Sequence, residues 1–555
     1  MKTADPFVPF STHQVLNQVA ALPDYNAFAS DRALSEAVVR EGAGWAQDRL
    51  RAFGGVVGSE RVRALAAQAD RNPPELHTHD RIGNRIDQVE FHPAYHELMS
   101  LAFGAGTHSL AWTADRQGAH VARAALSFLW NQAENGTACP VAMSFAALPV
   151  LRRQPDIAKQ WEPRLVAAAY DPRPLPPAQK AGVTIGMALT EKQGGSDLRA
   201  ITTQAHPAGP GGPGGEYRIT GHKWFCSAPM SDAFLVLAAT EKGPSCFLVP
   251  RSLPDGRRNP FFIQRLKDKC GNRANASSEV EFSGTHGWMV GEEGRGIRIL
   301  VEMAHFTRLE CTVGSAAIMR QALVQALHHT AHRQAFSRRL AEHPLMRNVL
   351  ADLALESEAA TVLAMRLARA FDESEANETQ RAVARLATPV GKYWICKRLP
   401  AFVAEAMECH GGSGYVEESP LARLYREAPL NGIWEGSGNV ICLDVLRALG
   451  REQRSLDAIW AEIDAAHGAD PRLDGELALL KDTFSRGKDL ESQARRLVER
   501  LALTLQAALL VRNAPSAVAE AFCATRLGDA GGRTFGTLPS AIGLDELVAR
   551  AQPAP

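Results

Sequence analysis

One glutamate in this sequence has a setting that suits removal of a proton from carbon. Glu435 lies in the run Leu430-Asn-Gly-Ile-Trp-Glu-Gly-Ser-Gly-Asn439, between an indole and a glycine. Such neighbours can desolvate a carboxylate and raise its pKa, as a general base for a weakly acidic carbon requires. The alternative is an exposed glutamate that caps the following helix.

An earlier run has the composition of a cofactor turn. Between Gly186 and Asp197 a short apolar stretch leads into the adjacent glycines Gly194 and Gly195, with hydroxyl groups at Thr190 and Ser196. Adjacent glycines let backbone N–H groups approach an anion or a ring edge closely. On its own, such a run is more often an ordinary loop.

A third run places two aromatic side chains next to a hydroxyl group. Trp224 and Phe225 are followed by Cys226 and Ser227. A planar cofactor such as an isoalloxazine ring could lie against the aromatic face while the hydroxyl group or a backbone N–H bonds its edge. Two aromatics in a strand are, however, usually ordinary core.

The predicted secondary structure that must position these runs changes from helices to strands along the chain. Helical patterns extend from Ala33 to about Val166, and the proline-rich segment from Asp171 to Gln179 is a plausible linker. Six short runs then predict a small antiparallel β domain: Ile185–Leu189, Tyr217–Thr220, Phe234–Ala238, Cys246–Val249, Phe261–Arg265 and Ser278–Phe282. The Gly/Pro run at 209–215 predicts a loop between two strands.

Helical periodicity returns after Ile297 and continues into a C-terminal extension. There a single helix is predicted from Leu477 to Leu510, with a break at Gly531-Gly532. We therefore predict four domains: a helical domain (1–182), a β-barrel-like domain (183–291), a helical bundle (292–449) and a helical extension (450–555).

Composition narrows the class of protein. The 61 Lys and Arg balance 61 Asp and Glu, so global charge favours neither nucleic acid nor a membrane as partner. The nine cysteines are scattered without metal-ligand spacing, which predicts reduced, buried thiols, no metal site and a cytoplasmic location. We expect no membrane segment, because no stretch approaches about 18 uninterrupted apolar residues.

Taken together, the runs resemble the acyl-CoA dehydrogenase family. Five family signatures occur in order: Thr190 to Asp197, Lys223-Trp224, Arg333-Gln-Ala-Phe336, Gly411-Gly-Ser-Gly-Tyr415 and Glu435-Gly436. The segment Leu266 to Ala276 and the added C-terminal helices are similar to the AidB branch, which acts in the bacterial response to alkylating agents. The fold implied is α+β, with an N-terminal helical domain, a middle β domain, a helical bundle and the extra helical domain.

The resemblance implies FAD as cofactor and assigns residues to it. The expected set in one subunit is Met187, Ala188, Leu189, Thr190, Gly194, Gly195, Ser196, Trp224, Phe225, Cys226, Ser227, Ile433, Trp434, Ser437 and Asn439. Ser227 or Cys226 would lie near the flavin N5 edge. In this family Arg333, Phe336, Gly411 and Gly412 reach the FAD of a neighbouring subunit, so a homotetramer is implied.

The resemblance also implies a reaction on an acyl-CoA thioester. Glu435 would be the base, the acyl group would be small and branched like isovaleryl, and Arg308 would contact the substrate. Some relatives carry the base at the position of Thr307, which cannot serve. Cys226 and Glu408 depart from the wider family pattern and leave the efficiency of thioester oxidation open.

Double-stranded DNA is the partner that the AidB branch implies for the extension. Residues 450–555 hold 13 Lys and Arg against 15 Asp and Glu, so any footprint must be a local stripe. Lys481, Lys488 and Arg495 recur at sevens and could share a helix face with Arg496 and Arg500. A solvated surface helix, in a metabolic dehydrogenase of short branched acyl-CoA without a DNA role, is the alternative.

Overall fold

Helices dominate the first third of the computed structural model, which describes residues 12–487, 490–528, 531–539 and 542–553. The elements are α1 (Arg32–Val38), α2 (Gln47–Val57), α3 (Glu60–Arg71), β1 (Glu75–His79), β2 (Arg85–Glu90), α4 (Pro93–Gly104), α5 (Leu110–Thr113), α6 (Ala119–Ala133), α7 (Ala138–Leu151) and α8 (Pro155–Leu165). The β1–β2 hairpin was not predicted. It turns at Asp80, whose carboxylate accepts the N–H groups of Ile82 and Asn84.

The middle region is a strongly curved sheet. Its strands are β3 (Ile185–Ala188), β4 (Gln204–Pro207), β5 (Glu216–Ser227), β6 (Ala233–Thr240), β7 (Gly243–Pro250), β8 (Phe261–Leu266) and β9 (Ser277–Met289). All six predicted strands are present, and the 209–215 run connects β4 to β5 as predicted. The prediction of a wholly antiparallel domain was wrong, because β6 pairs in parallel with β3 and β4. Since β7 pairs with both β6 and β9, the sheet closes on itself.

A second helical block is organised around one 37-residue helix. It comprises α9 (Gly296–His332), β10 (Gln334–Ala335), β11 (Arg338–Arg339), α10 (Pro344–Glu373), α11 (Glu378–Glu408), α12 (Gly412–Tyr415), α13 (Pro420–Glu427) and α14 (Gly438–Arg451). Helix α9 packs against α6 and α7 on one side and α10 and α11 on the other. It therefore joins the first helical region to the bundle.

The C-terminal extension packs onto the bundle. Its helices are α15 (Gln453–Asp464), α16 (Pro471–Arg486), α17 (Leu490–Asn513), α18 (Ser516–Phe522) and α19 (Leu544–Ala551). The single helix predicted from Leu477 to Leu510 was wrong: α16 ends at Gly487, whose φ of 63° is the left-handed conformation of a helix C-cap. Leucines of α17 are buried against α10 and α11, so the extension shares the core of the bundle.

Two further predictions concern the cysteines and the membrane. All nine cysteines are free thiols, and all except Cys270 are buried. Within the described residues, every helix is too short or too polar to cross a bilayer.

Candidate active site

The Glu435 turn lies between the end of a short helical turn and the start of α14. Glu435 has φ 58° and Gly436 has φ 105°, so two consecutive residues adopt left-handed backbone. A non-glycine residue in this region costs on the order of 1–3 kcal/mol. The fold therefore holds the carboxylate in a conformation that the isolated chain would avoid.

Two buried cations hold this turn by its carbonyl groups. Lys392 of α11, which is only 1% exposed, donates from Nζ to the carbonyls of Trp434 (2.9 Å) and Gly436 (2.5 Å). Arg308 of α9 donates from Nε to the carbonyl of Glu435 itself (3.0 Å). Three consecutive carbonyls are thus fixed by side chains from two helices.

Helix α14 completes this support through a carboxylate. Asp444 accepts from Nη1 of Arg308 (2.8 Å) and from Nη2 of Arg385 (3.1 Å). Arg308 was predicted to contact the substrate. The structure brings it to the turn, but engages it with Glu435 and Asp444.

The electrostatics of the turn favour a base that can hold a proton. Burial raises the pKa of the Glu435 carboxyl above its ordinary value of 4.5, while the Thr307 hydroxyl and the charges of Arg308 and Lys392 oppose that rise. A raised pKa of the base brings it closer to the high pKa of a weakly acidic C–H group, which favours proton transfer. The charges of Arg308 and Lys392 therefore limit how far burial raises this pKa.

The predicted cofactor turn is anchored by a buried ion pair. Glu191, next to Thr190, accepts from Nζ of Lys223 on β5 (2.7 Å), and neither side chain is exposed. The same carboxylate accepts the N–H groups of Thr202 and Thr203, so it also fixes the far end of the loop. The loop between β3 and β4 is thereby bound to β5.

The aromatic run follows the pleat of β5. Phe225 is 50% exposed and Ser227 is partly exposed, whereas Cys226 is fully buried in the core. Of the two residues expected near the flavin N5 edge, the structure therefore favours Ser227. The Trp224 ring contacts Lys267, whose Nζ lies 3.2 Å from its centroid.

Two features bring the separate runs together. Met187, Leu189 and Trp434 pack against the same apolar cluster, together with Phe306 of α9. Burial raises the pKa of the Cys139 thiol to about 12; the charges of Lys269 and Glu435 also act on it, and Ser227 hydrogen-bonds to it. The β3 strand, Ser227 and the Glu435 turn therefore lie in the same region of the fold.

The remaining residues that were predicted to bind the flavin lie at the other end of α9. Arg333 follows the last residue of this helix, and Phe336 stands at the tip of the β10–β11 hairpin, 92% exposed. Gly411 and Gly412 are exposed close by, since His410 contacts His329 of α9. From Arg308 to Arg333 a straight helix rises about 38 Å. The structure thus separates these four residues from the Glu435 turn.

Comparison with known proteins agrees with this architecture. A family model described as the adaptive response protein AidB N-terminal domain matches residues 17–172, and models of the acyl-CoA dehydrogenase middle and C-terminal domains match 186–285 and 294–450. The putative acyl-CoA dehydrogenase AidB of Escherichia coli K12 is 46% identical over 94% of this chain and 96% of that protein. The chain belongs to the acyl-CoA dehydrogenase family.

Solved structures share the fold of this acyl-CoA dehydrogenase. Caenorhabditis elegans ACDH-11 in complex with C11-CoA superposes with a TM-score of 0.86 at 25% identity, over 97% of this chain and 98% of that one. An acyl-CoA dehydrogenase complexed with FAD from Bacillus anthracis gives 0.61 at 20% identity, over 78% and 77%. The family makes this chain an FAD-dependent oxidoreductase.

The residues of this acyl-CoA dehydrogenase fit a flavin nucleotide. Gly194 has φ 134° with open space at its Cβ position, and a side chain on Gly195 would collide with the Thr190 hydroxyl. The turn therefore needs both glycines, and Ser196 beside it is exposed. Ser437 and Asn439 are exposed at the N-terminus of α14, where helix N–H groups favour an anion.

The predicted DNA residues do not form one stripe. Lys481 pairs with Asp464 (2.8 Å), and Arg500 forms a bidentate pair with Glu476. Arg495 donates to Asn439 (2.8 Å), which places it beside the Glu435 turn. Arg496 is exposed, without an ion pair to any described residue, and Lys488 lies outside the described residues.

Sequence reasoning missed several residues that shape this site. Sequence analysis did not single out Lys392, Asp444 and Cys139, because they lie in ordinary helical runs. Lys392 carries a faint signal, since a lysine between apolar residues of a helix is seldom buried without a partner. The partners here are carbonyl groups 42 and 44 residues away, which no local pattern reveals.

Proposed function

We propose that Glu435 is the base that removes the proton α to the carbonyl of an acyl-CoA thioester. The observation that carries this is the turn itself: a strained carboxylate with a raised pKa, fixed through three carbonyls by Lys392 and Arg308. Bound FAD supplies the acceptor for the hydride that leaves the β carbon. A Cα–Cβ double bond forms as the proton passes to Glu435.

A short branched acyl group is the substrate that this site suits best. The wall beside the turn is built by Trp434 and Phe306, and Phe306 packs edge to face against Trp112 and Phe145. Packed aromatic rings give this wall an apolar surface that suits a branched apolar chain. This supports an acyl group of the isovaleryl class.

The base is tested by Glu435→Gln in the flavin-bound protein with isovaleryl-CoA and an artificial electron acceptor. We expect the turnover number to fall by about 10²–10⁴-fold, because a positioned base contributes on that order. The matched control is Glu241→Gln, which changes an exposed glutamate at the turn after β6. Turnover that survives Glu435→Gln unaltered, with the flavin spectrum retained, would show that another group is the base.

We also propose a homotetramer in which each FAD lies between subunits. Its support is the length of α9: Arg333, Phe336, Gly411 and Gly412 lie about 38 Å from the Glu435 turn of the same subunit. Residues this far from the Glu435 turn cannot bind the same end of one FAD molecule as that turn does. Phe336 and Tyr415, both large and exposed at that end, suit contact with a neighbouring subunit.

A further part of the proposal is that the protein binds duplex DNA and takes part in the response to alkylation. It rests on the likeness to an adaptive response protein. The exposed guanidinium group of Arg496 is the described contact that suits a phosphate, since Lys481, Arg486 and Arg500 already have acidic partners. The footprint is therefore smaller than the predicted stripe.

The DNA proposal is tested by fluorescence anisotropy with labelled duplex at two salt concentrations. Arg496→Ala should weaken binding and lower the slope of log K against log salt by about 0.9, the loss of one phosphate contact. Arg381→Ala, an exposed arginine of α11, is the matched control. Robust turnover of isovaleryl-CoA by a protein indifferent to DNA would favour a purely metabolic dehydrogenase.

A further inference from the structure

A cavity lined by four arginines lies where the first helical region, the bundle and the extension meet. Its volume is about 240 Å³, and it opens to the surface on one side. The charged residues that line it are Arg40, Glu41, Arg366, Arg369, Glu462 and Arg512. Four guanidinium groups face two carboxylates in the lining, and Glu373 outside it pairs with Arg369 (2.9 Å), so one net positive charge remains.

Two of these arginines carry donors that the protein does not use. Arg366 is 5% exposed; its Nε and Nη2 bind Glu462 (2.9 and 2.7 Å), while its Nη1 is buried without an acceptor in the described chain. Arg40 bonds Glu41 through Nε (2.9 Å), and its Nη2 is likewise buried and unpaired among the described residues. Buried charged donors without an acceptor are costly, so a fold seldom retains them without a ligand or water.

One acceptor in the cavity is also unused. Glu41 is 4% exposed, and its Oε2 has no hydrogen-bond donor within the described residues. Arg40 bonds the other oxygen of this carboxylate, and Nη1 of Arg369 lies 3.6 Å from Oε2, beyond hydrogen-bond distance. A matching ligand therefore needs acceptor oxygens for the arginines and one hydroxyl hydrogen for Glu41.

We propose that this cavity binds a phosphate group in its hydrogen phosphate or monoester form. Phosphate oxygens match the fork geometry of guanidinium groups, and a P–OH or ester hydroxyl can donate to Glu41. The cavity is distinct from the active site, because Gln380 in its lining lies twelve residues before Lys392 on α11, about 18 Å along the helix.

Binding there would tie three regions of the chain together. Arg40 and Glu41 belong to the π-helical turn Val39–Ala43 after α1, Arg366 and Arg369 to α10, and Glu462 and Arg512 to α15 and α17. A ligand that bridges them binds only the docked arrangement. Phosphate should therefore stabilise the folded protein by mass action.

The test is isothermal titration of inorganic phosphate and of glycerol 3-phosphate into the flavin-bound protein, at constant ionic strength in a phosphate-free buffer. We expect saturable binding, with Kd raised about tenfold by Arg40→Met, which removes one charge-assisted donor. Arg381→Met is the matched control, because this exposed arginine of α11 does not line the cavity. Whichever ligand binds more tightly identifies the source of the phosphate group.

A second variant guards against misfolding. Arg512→Gln changes an exposed lining residue whose only ion pair among the described residues, to Glu462, is long at 3.4 Å, so it should weaken phosphate binding without loss of melting temperature. Sodium sulfate, which lacks the hydroxyl hydrogen at neutral pH, should bind more weakly than phosphate. Equal effects of sulfate and phosphate, or full binding in both Arg40→Met and Arg512→Gln, would overturn the proposal.

Discussion

Lys392 is the residue whose contribution to the Glu435 turn can be measured most directly. It donates to the carbonyls on both sides of Glu435, and its own stem is buried. Lys392→Met keeps a long apolar side chain and removes both hydrogen bonds. We expect kcat to fall by about 10–100-fold with little change in KM. The variant holds the Glu435 turn less precisely, which slows the chemical step but leaves substrate binding unchanged.

The pH profile of Lys392→Met separates positioning from general damage. The positive charge of Lys392 lowers the pKa of Glu435 against the dominant effect of burial. Its removal should therefore raise that pKa further and move the acidic limb of kcat/KM to higher pH, since Glu435 must be ionised to act. Lys159→Met, at an exposed lysine of α8, should leave both rate and profile unchanged. A slower Lys392→Met enzyme with an unmoved acidic limb would argue against this role.

At the scale of elements, Glu427 links helix α13 to the segment between β8 and β9. Its Oε1 accepts the N–H of Asn272, and burial raises its pKa to about 7. The folded protein therefore favours the protonated carboxyl. Its contribution to stability is complete below about pH 4.5 and is lost as the pH rises through about 7, a span worth about 3 kcal/mol.

Glu427→Gln should remove this pH dependence, because an amide can accept the same N–H without ionising. We expect the melting temperature of the variant to equal that of the parent near pH 5 and to exceed it at pH 8. Glu418→Gln, at an exposed glutamate nearby, should follow the parent at both values. A parent protein with identical melting temperature at pH 5 and 8 would mean that Glu427 is ionised in the fold.

The elements themselves were largely predictable, and the failures have local causes. Alternating or β-branched runs located six strands: β5 alternates between core and surface, whereas β3, β6 and β7 are buried along most of their length. The sevenfold spacing of Lys481 and Arg495 misled, since Gly487 ends the helix between them, and a glycine after the basic Arg486 was the available signal. Lys392 and Arg308 could not be assigned to the Glu435 turn, because they are 42 and 127 residues away from their partners in sequence and meet them only in the folded chain.

At the scale of the whole molecule, the exposed tip of the β10–β11 hairpin suits a contact outside its own subunit. Phe336 and Ser337 adopt φ 51° and 62°, so an aromatic residue occupies a left-handed position that glycine or asparagine would fill at lower cost. Its ring is 92% exposed. An exposed apolar group held in a left-handed conformation supports the proposed contact with a neighbouring subunit.

Phe336→Ser tests whether that contact assembles the protein and retains its flavin. Burial of a phenylalanine ring contributes about 1.5–3 kcal/mol per contact, so its loss at every interface of a tetramer should favour smaller species. We expect sedimentation to show dissociation, and the flavin absorbance to be lost on dilution, because the cofactor would lie between subunits. Leu479→Ser, at an exposed leucine of α16, is the control. Serine adds no strain to the left-handed position, because both residues carry a Cβ. Dissociation with an unchanged melting temperature of the subunit would therefore locate the effect at the interface. A variant that keeps both its assembly and its flavin would place Phe336 outside it.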